Sequence, residues 1–113
     1  MGKPSRDKGA RYERELVQHL CQHGLPASRV PLSGAVDGYA DDVLVCLGET
    51  ELRIEAKRRA RLAGYLTQWV EGSSSGLVAM REDRGRTLWL VSDELMMWLL
   101  QGVQWLEADP DDA

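Results

Sequence analysis

The stretch that decides how this chain is read is Asp42-Val43-Leu44-Val45-Cys46-Leu47-Gly48-Glu49-Thr50-Glu51-Leu52-Arg53-Ile54-Glu55-Ala56-Lys57. Two runs rich in apolar and β-branched residues flank Gly48-Glu49. The stretch therefore reads as an antiparallel hairpin, with strands from Asp42 to Leu47 and from Glu51 to Lys57. A turn centred between Gly48 and Glu49 pairs Leu47 with Thr50, Val45 with Leu52 and, at the open end, Asp42 with Glu55. Directly opposed residues have Cβ atoms about 4.5–5.5 Å apart. Two carboxylates at that spacing repel each other unless a cation or a shared proton lies between them. A hard divalent cation with oxygen ligands, such as Mg²⁺, is the natural occupant, and Mn²⁺ is expected to substitute. Strand alternation puts Leu52, Ile54 and Ala56 on one face and Arg53, Glu55 and Lys57 on the other. Lys57 thus shares the side of Glu55, where an ammonium can orient a water and stabilise charge developing on a phosphate. Glu-x-Lys by itself is common, and an exposed strand of alternating charge would also contain it. The opposed Asp42 gives the pattern its weight.

Upstream of the hairpin, Asp7 to His23 reads as a helix ended by Gly24, with Pro26 behind it as a stop. At 100° per residue, Tyr12, Leu16, Val17, Leu20 and Cys21 share one broad face, and Glu13 projects into the middle of it. An acid in the centre of an apolar stripe is costly unless it has a partner. Either it pairs with an arginine such as Arg29, or it is a third carboxylate directed at the same metal centre. His19 and His23 lie four apart without a third ligand or an HExxH pattern, and read as helix-surface residues. Cys21 and Cys46 form neither a disulfide framework nor a zinc site, and are expected as small buried core residues.

Ser28 to Leu32 reads as a short strand, and Ser33 to Gly38 as a flexible loop. Downstream, Arg61 to Glu71 is helical and is broken by Gly72-Ser73-Ser74-Ser75-Gly76. Leu77 to Met80 and Thr87 to Val91 form a strand pair across a charged turn. Ser92 caps a helix through about Gln101, with Asp93 and Glu94 in its first turn. Val103 to Leu106 is expected to add a short edge strand. The order α-β-β-β-α-β-β-α implies an α/β fold with a mixed central sheet flanked by helices. Leu95 to Leu100 is apolar throughout, more than a single-faced surface helix needs, so part of it is expected in the core and part at a subunit contact.

At 113 residues, with 43% hydrophobic and 28% charged side chains, the chain has the proportions of one globular domain. No apolar run is long enough to span a bilayer, and Met1 to Lys8 is polar and basic rather than a signal peptide. The cytoplasm is the expected compartment. The net charge of −4 is unevenly spread. Residues 1–91 hold all 14 basic and 12 of the 18 acidic side chains, a net of +2. The remaining six acids crowd the last 22 residues, where 107–113 is expected as a disordered acidic tail. That tail is either simply solvated or a nucleic-acid mimic that restrains binding.

Ala10-Arg11-Tyr12-Glu13-Arg14-Glu15-Leu16-Val17, then Gly24, Arg29, Ser33-Gly34, Asp42-Val43-Leu44-Val45 and Ile54-Glu55-Ala56-Lys57 together resemble the archaeal-type Holliday-junction resolvases of the PD-(D/E)XK nuclease superfamily. The likeness covers about residues 8–59 in order, spacing and element type. It implies a restriction-endonuclease-like fold and a metal-dependent, structure-specific DNA endonuclease. Such enzymes are homodimers that resolve four-way junctions by paired nicks, leaving 5′-phosphate and 3′-hydroxyl ends. On this resemblance Glu13 matches the helix glutamate. Asp42 matches the aspartate of the PD element, with Asp41 where the family has proline. Glu55 and Lys57 match the (D/E)XK element, and the carbonyl of Ala56 joins Glu13, Asp42 and Glu55 as a metal ligand. Arg14 and Arg29 match basic positions important for DNA. Tyr65 and Trp69 resemble an aromatic pair at the dimer interface, and Arg81 takes a DNA-facing position after the following strand.

Three further groups of residues are assigned to DNA. Arg58, Arg59 and Arg61 either grip phosphates beside the scissile bond or form a solvated charge run. Lys3, Arg6, Lys8 and Arg11 form a basic arm over residues 1–7 and just beyond, either DNA-contacting or disordered. The loop from Ser33 either reaches toward the junction centre or is a plain connector. Alternative functions are a related nuclease acting on flaps, splayed ends or duplexes, a nuclease-like module that binds nucleic acid without cutting, and an interaction module whose acids never meet a metal.

Overall fold

The computed structural model describes residues 2–30 and 42–108, with side chains described for 9–30 and 43–108. The elements run α1 (Gly2–Gln22), β1 (Ala27–Val30), β2 (Asp42–Leu47), β3 (Thr50–Ile54), α2 (Gly64–Gly72), β4 (Leu77–Met80), β5 (Leu88–Val91) and α3 (Asp93–Glu107). This is a nuclease-like α/β fold in the order read from the sequence. The described strands pair antiparallel throughout, in two ladders: β1-β2-β3 and β4-β5. The chain forms two compact units, one of Met1–Arg58 with Leu100–Ala113, the other of Arg59–Leu99.

In the first unit α1 packs on β1 and β2. Its helix starts at Gly2, earlier than the expected Asp7. Pro4 fits the first turn because N–H groups there have no helical partner. The helix ends where the N–H of Gly24 donates to Cys21 O and that of Leu25 to Leu20 O. Gly24, at φ 77°, supplies the left-handed residue this ending needs. Leu20 and Leu25 are buried against the alternating side chains Val43, Val45 and Leu47 of β2, all three fully inaccessible. Cys21, expected in this core, is exposed, and its thiol lies 3.5 Å from Ala27 O. Cys46 is only half-buried. Leu20 and Leu25 occupy the space at the end of α1, and Cys46 falls on the strand face opposite Val45 and Leu47. The two histidines are surface-side residues, with His23 Nδ1 2.8 Å from His19 O.

The β2–β3 register is the expected one: Leu47 pairs with Thr50, Val45 with Leu52 and Val43 with Ile54. Gly48 turns the hairpin at φ 65°. The second strand begins one residue earlier than the expected Glu51 and ends three residues before the expected Lys57. β3 begins its pairing at Thr50 and ends at Ile54, so Glu55 to Lys57 follow the strand.

α3 continues to Glu107, and Val103 to Leu106 belong to it rather than to an edge strand. Ser92 caps it, accepting a bond from Leu95 N–H at 3.2 Å. Beyond Gln101 the helix is held from the side: Gln101 Nε2 donates to His23 O at 3.0 Å and Gln104 Nε2 to Gly24 O at 2.8 Å. These two amides satisfy carbonyls left over at the end of α1 and offset the cost of about 1 kcal/mol that Gly102 brings inside a helix. Glu107, expected in the tail, is in the helix and accepts a bond from Thr50 Oγ1 at 3.0 Å. The rest of the tail, 109–113, lies outside the described residues.

In the second unit α2 begins at Gly64, three residues after the expected Arg61, and buries no residue fully. The Gly72-to-Gly76 break is organised by Ser73, whose hydroxyl oxygen accepts bonds from Gly76 and Leu77 N–H. β4 pairs with β5 from Leu77–Val91 to Met80–Leu88. Among the described residues no helix is long and apolar enough to cross a membrane.

Candidate active site

The open end of the β1-β2-β3 sheet gathers the residues singled out from the sequence. Arg29 of β1 pairs with Val43 of β2, which pairs with Ile54 of β3. The next row begins with Val30 paired to Asp42. The same register continued by one residue reaches Glu55, just past the end of β3. The hairpin therefore brings the backbone of Asp42 beside that of Glu55, because the tight turn at Gly48 fixes the register. The side chain of Asp42 lies outside the described residues. Glu55 and Lys57 are both largely solvent-exposed, and Lys57 Nζ stands 3.0 Å from Glu55 Oε1. In an extended chain they fall on the same side, two residues apart.

Glu13 comes from α1, where its side chain is the only charged one in the described core. Its Oε2 accepts a charge-assisted bond from Arg29 Nε at 3.1 Å. Of the two sequence readings for Glu13, the arginine pair is the contact observed. Burial makes that partner necessary, since a lone carboxylate in the α1–sheet layer would carry a large desolvation cost. The structure thus joins Glu13 to Arg29 in the row beside Asp42, and Glu55 to Lys57 past the end of β3.

The model of the archaeal Holliday junction resolvase (Hjc) family matches residues 4–91, a span that includes Glu13, Arg29, Asp42, Glu55 and Lys57. The chain belongs to this family. It is also similar to the crossover junction endodeoxyribonuclease Hjc of Archaeoglobus fulgidus, with 39% identity over 62 residues. That match covers 55% of this chain and 46% of the relative, so the chain spans about half of the relative's length. No solved structure matches the chain.

Nucleases of the resolvase family are generally metal-dependent. The donors at the open sheet end fit a hard cation in kind. Glu55 offers an exposed carboxylate, Asp42 lies next to it in register, and the Ala56 carbonyl follows in sequence. Oxygen donors of this type suit Mg²⁺. Among the described residues, which do not include the side chain of Asp42, no three His, Cys, Asp or Glu side chains cluster as a metal site.

The basic residues expected at DNA are placed as follows. Arg11 and Arg14 are exposed on α1, and Arg58, Arg59, Arg61 and Arg81 are exposed on or beside loops. Lys8 lies in α1 with its side chain outside the described residues, and Ser33 with its loop lies outside them altogether. Tyr65 and Trp69 are about half exposed on α2, their rings 4.9 Å apart and tilted by 51°. They line an open cavity of about 450 Å³ with Leu66, Met80, Arg81 and Leu88. Sequence reasoning missed the bond between Thr50 and Glu107, which fastens the turn of the hairpin that carries the site. Its only signal was a hydroxyl residue beside the turn and an acid at the end of an apolar run.

Proposed function

We propose that this chain is a metal-dependent endonuclease that resolves four-way DNA junctions by paired nicks. The observation that supports the reading is the β2–β3 register from Leu47–Thr50 to Val43–Ile54, which continued by one residue leads to Asp42 and Glu55, in a chain of the resolvase family. Asp42, Glu55 and the Ala56 carbonyl hold Mg²⁺, for which Mn²⁺ substitutes. The ion supplies Lewis acidity, which acidifies water and offsets the charge that builds on the phosphate.

The protein's own groups do the positioning. Lys57, paired with Glu55, orients the attacking water and donates to the phosphate oxygen that gains charge. Water adds to phosphorus, the bond from phosphorus to the 3′ oxygen breaks, and the products carry a 5′-phosphate and a 3′-hydroxyl. Arg14, Arg29, Arg58, Arg59, Arg61 and Arg81 neutralise flanking phosphates, and Lys8, Arg11 and Ser33 are assigned to DNA as well. Contacts of this kind set affinity and register on the DNA rather than base preference.

Two strands of a four-way junction must be cut, so the active unit is a homodimer, with Tyr65 and Trp69 at the contact. The enzyme acts in the cytoplasm. The test is a nicking assay on a synthetic four-way junction beside matching duplex and flap DNA, with and without Mg²⁺. Symmetric, Mg²⁺-dependent nicks confined to the junction are expected. Equal cutting of all three substrates removes the junction assignment, and no cutting of any removes the nuclease.

A further inference from the structure

The loop between β4 and β5 runs from Arg81 to Thr87, with Arg84 at its middle. The N–H of Gly85 closes a turn there by donating to Glu82 O at 2.9 Å, and Arg84 is the third residue of that turn. Arg84 has φ 62° and is the only non-glycine residue with a positive φ among those described. A Cβ in the left-handed region crowds the following carbonyl, so a turn with its positive φ at the third position ordinarily carries glycine or asparagine there. The chain does have a glycine, one place later. Gly85 lies outside the left-handed region. It meets a different need, because a Cβ built on it would come 3.1 Å from Glu82 O. The strained position itself is held by an arginine.

The side chain of Arg84 gives the fold nothing that offsets this strain. It is exposed. Among the described residues it has no ion pair and no side-chain hydrogen bond, although Glu82 and Asp83 precede it directly. Arg81 and Arg86, on either side of it in the loop, are exposed as well. A guanidinium that no carboxylate neutralises keeps its full attraction for an external anion. Backbone strain kept at a residue that packs against nothing points to use outside the fold.

We infer that Arg84 is a DNA-binding residue, whose guanidinium is held out from the tip of the β4–β5 hairpin to a backbone phosphate at the cost of a left-handed backbone. This rests on the nuclease reading above and adds a contact that the family resemblance, which stops at Arg81 in this loop, does not assign. A contact of this kind sets affinity and register rather than base preference.

Stability and binding then respond to Arg84 with opposite signs. A residue kept for the fold lowers stability when it is replaced. A residue kept for DNA against backbone strain lowers binding, and its replacement by a residue at ease in the left-handed region leaves stability equal or higher. Asparagine is such a residue. The test uses the full chain as wild type, Arg84→Asn and Arg84→Lys. A thermal melt reads the fold. Binding of a synthetic four-way junction in EDTA, at a series of salt concentrations, reads the phosphate contact without cleavage.

Arg84→Asn is expected to melt at or above the wild-type temperature. Its junction affinity should fall about five- to tenfold, and the slope of log K against log salt should shrink by about 0.9, one phosphate. Arg84→Lys keeps the charge and should keep the wild-type slope. Unchanged affinity and slope in Arg84→Asn overturn the inference. So does a melting temperature more than about 3 °C below wild type, which would make the arginine a support of the fold. A wild-type chain that does not bind the junction overturns the proposed function itself. Wild-type binding that Arg84→Asn leaves unmoved overturns only the role given to Arg84.

Discussion

Glu107 lies directly over Gly48: a Cβ built on this glycine would come within 2.5 Å of Glu107 Cβ and 3.0 Å of Glu107 O. The end of α3 and the turn of the β2–β3 hairpin are therefore in backbone-level contact, and the bond from Thr50 to Glu107 closes the same junction. Gly48→Ala meets two obstacles there, the left-handed φ of 65° and the overlap with Glu107. Together they are expected to cost about 2–4 kcal/mol of stability. Thr50→Val, which loses only the hydrogen bond, should cost about 1 kcal/mol. Urea unfolding measures both, and equal losses would mean that the glycine contact carries no weight.

The chemistry at the other end of that hairpin separates the three residues assigned to it. Asp42→Ala and Glu55→Ala remove oxygen donors, and each is expected to abolish Mg²⁺-dependent cleavage while junction binding stays largely intact. Lys57→Ala leaves both carboxylates and should lower the cleavage rate by about 10²–10³-fold. The folded state should hardly notice the change at Lys57, because an exposed pair such as Lys57–Glu55 contributes about 0–1 kcal/mol. Single-turnover cleavage beside a thermal melt checks all three, and full activity in either carboxylate variant sinks the assignment.

The hairpin was legible in advance because a tight turn with a glycine fixes the register of everything behind it, down to the neighbourhood of Asp42 and Glu55. Glu13 is legible as an anomaly, a charge inside an apolar stripe, and Arg29 as one of its two candidate partners, but the choice between arginine and metal is not, because a helix wheel gives the face of a residue and not what the sheet presents to it. The C-terminal half of α3 does not read as helix in the sequence, for a physical reason. Gly102 and the β-branched Val103 weaken local helix propensity. The stabilising groups are Gln101 and Gln104, whose partners at His23 and Gly24 lie far away in sequence. Cys21 falls on the apolar face of the wheel, and only the packing of Leu20 and Leu25 shows that the space there is taken.

Arg58 and Arg59 follow Lys57 directly and are both exposed. If they contact phosphates, Arg58→Ala with Arg59→Ala should reduce the salt slope of junction binding by about 1.8, at about 0.9 for each phosphate released. Their exposure means that stability should change by less than about 0.5 kcal/mol. A fluorescence titration at several salt concentrations reads the slope, and an unchanged value removes both arginines from the DNA surface.

Tyr65 and Trp69 are about half exposed on a helix that buries no residue fully. Their replacement by serine should therefore spare the fold of the chain. At a subunit contact, truncating a central aromatic typically costs about 2 kcal/mol or more, roughly 30-fold in dissociation constant. Wild type is expected to sediment as a dimer at micromolar concentration, and Tyr65→Ser with Trp69→Ser to shift toward monomer. A wild-type monomer at that concentration counts against the dimer, and a variant that stays dimeric places the contact elsewhere.

The end of α1 offers a test of what holds α3 in helical form past Gly102. Gln101 and Gln104 are three residues apart and so lie on one side of the helix, where their amides reach His23 O and Gly24 O. Those carbonyls belong to the terminus of α1, where the last C=O groups have no helical partner. Gln101→Ala and Gln104→Ala should each cost about 1 kcal/mol, because each removes one hydrogen bond at an exposed site. The two bonds share the same anchor between helices, so the double variant should lose more than the sum once the end of α3 frays. Fraying should appear in hydrogen exchange as faster exchange from Val103 to Glu107, with the core around Val43 and Val45 still protected. If exchange there stays slow in the double variant, the apolar contacts of Met97 and Leu100 hold the helix, and the glutamines do not.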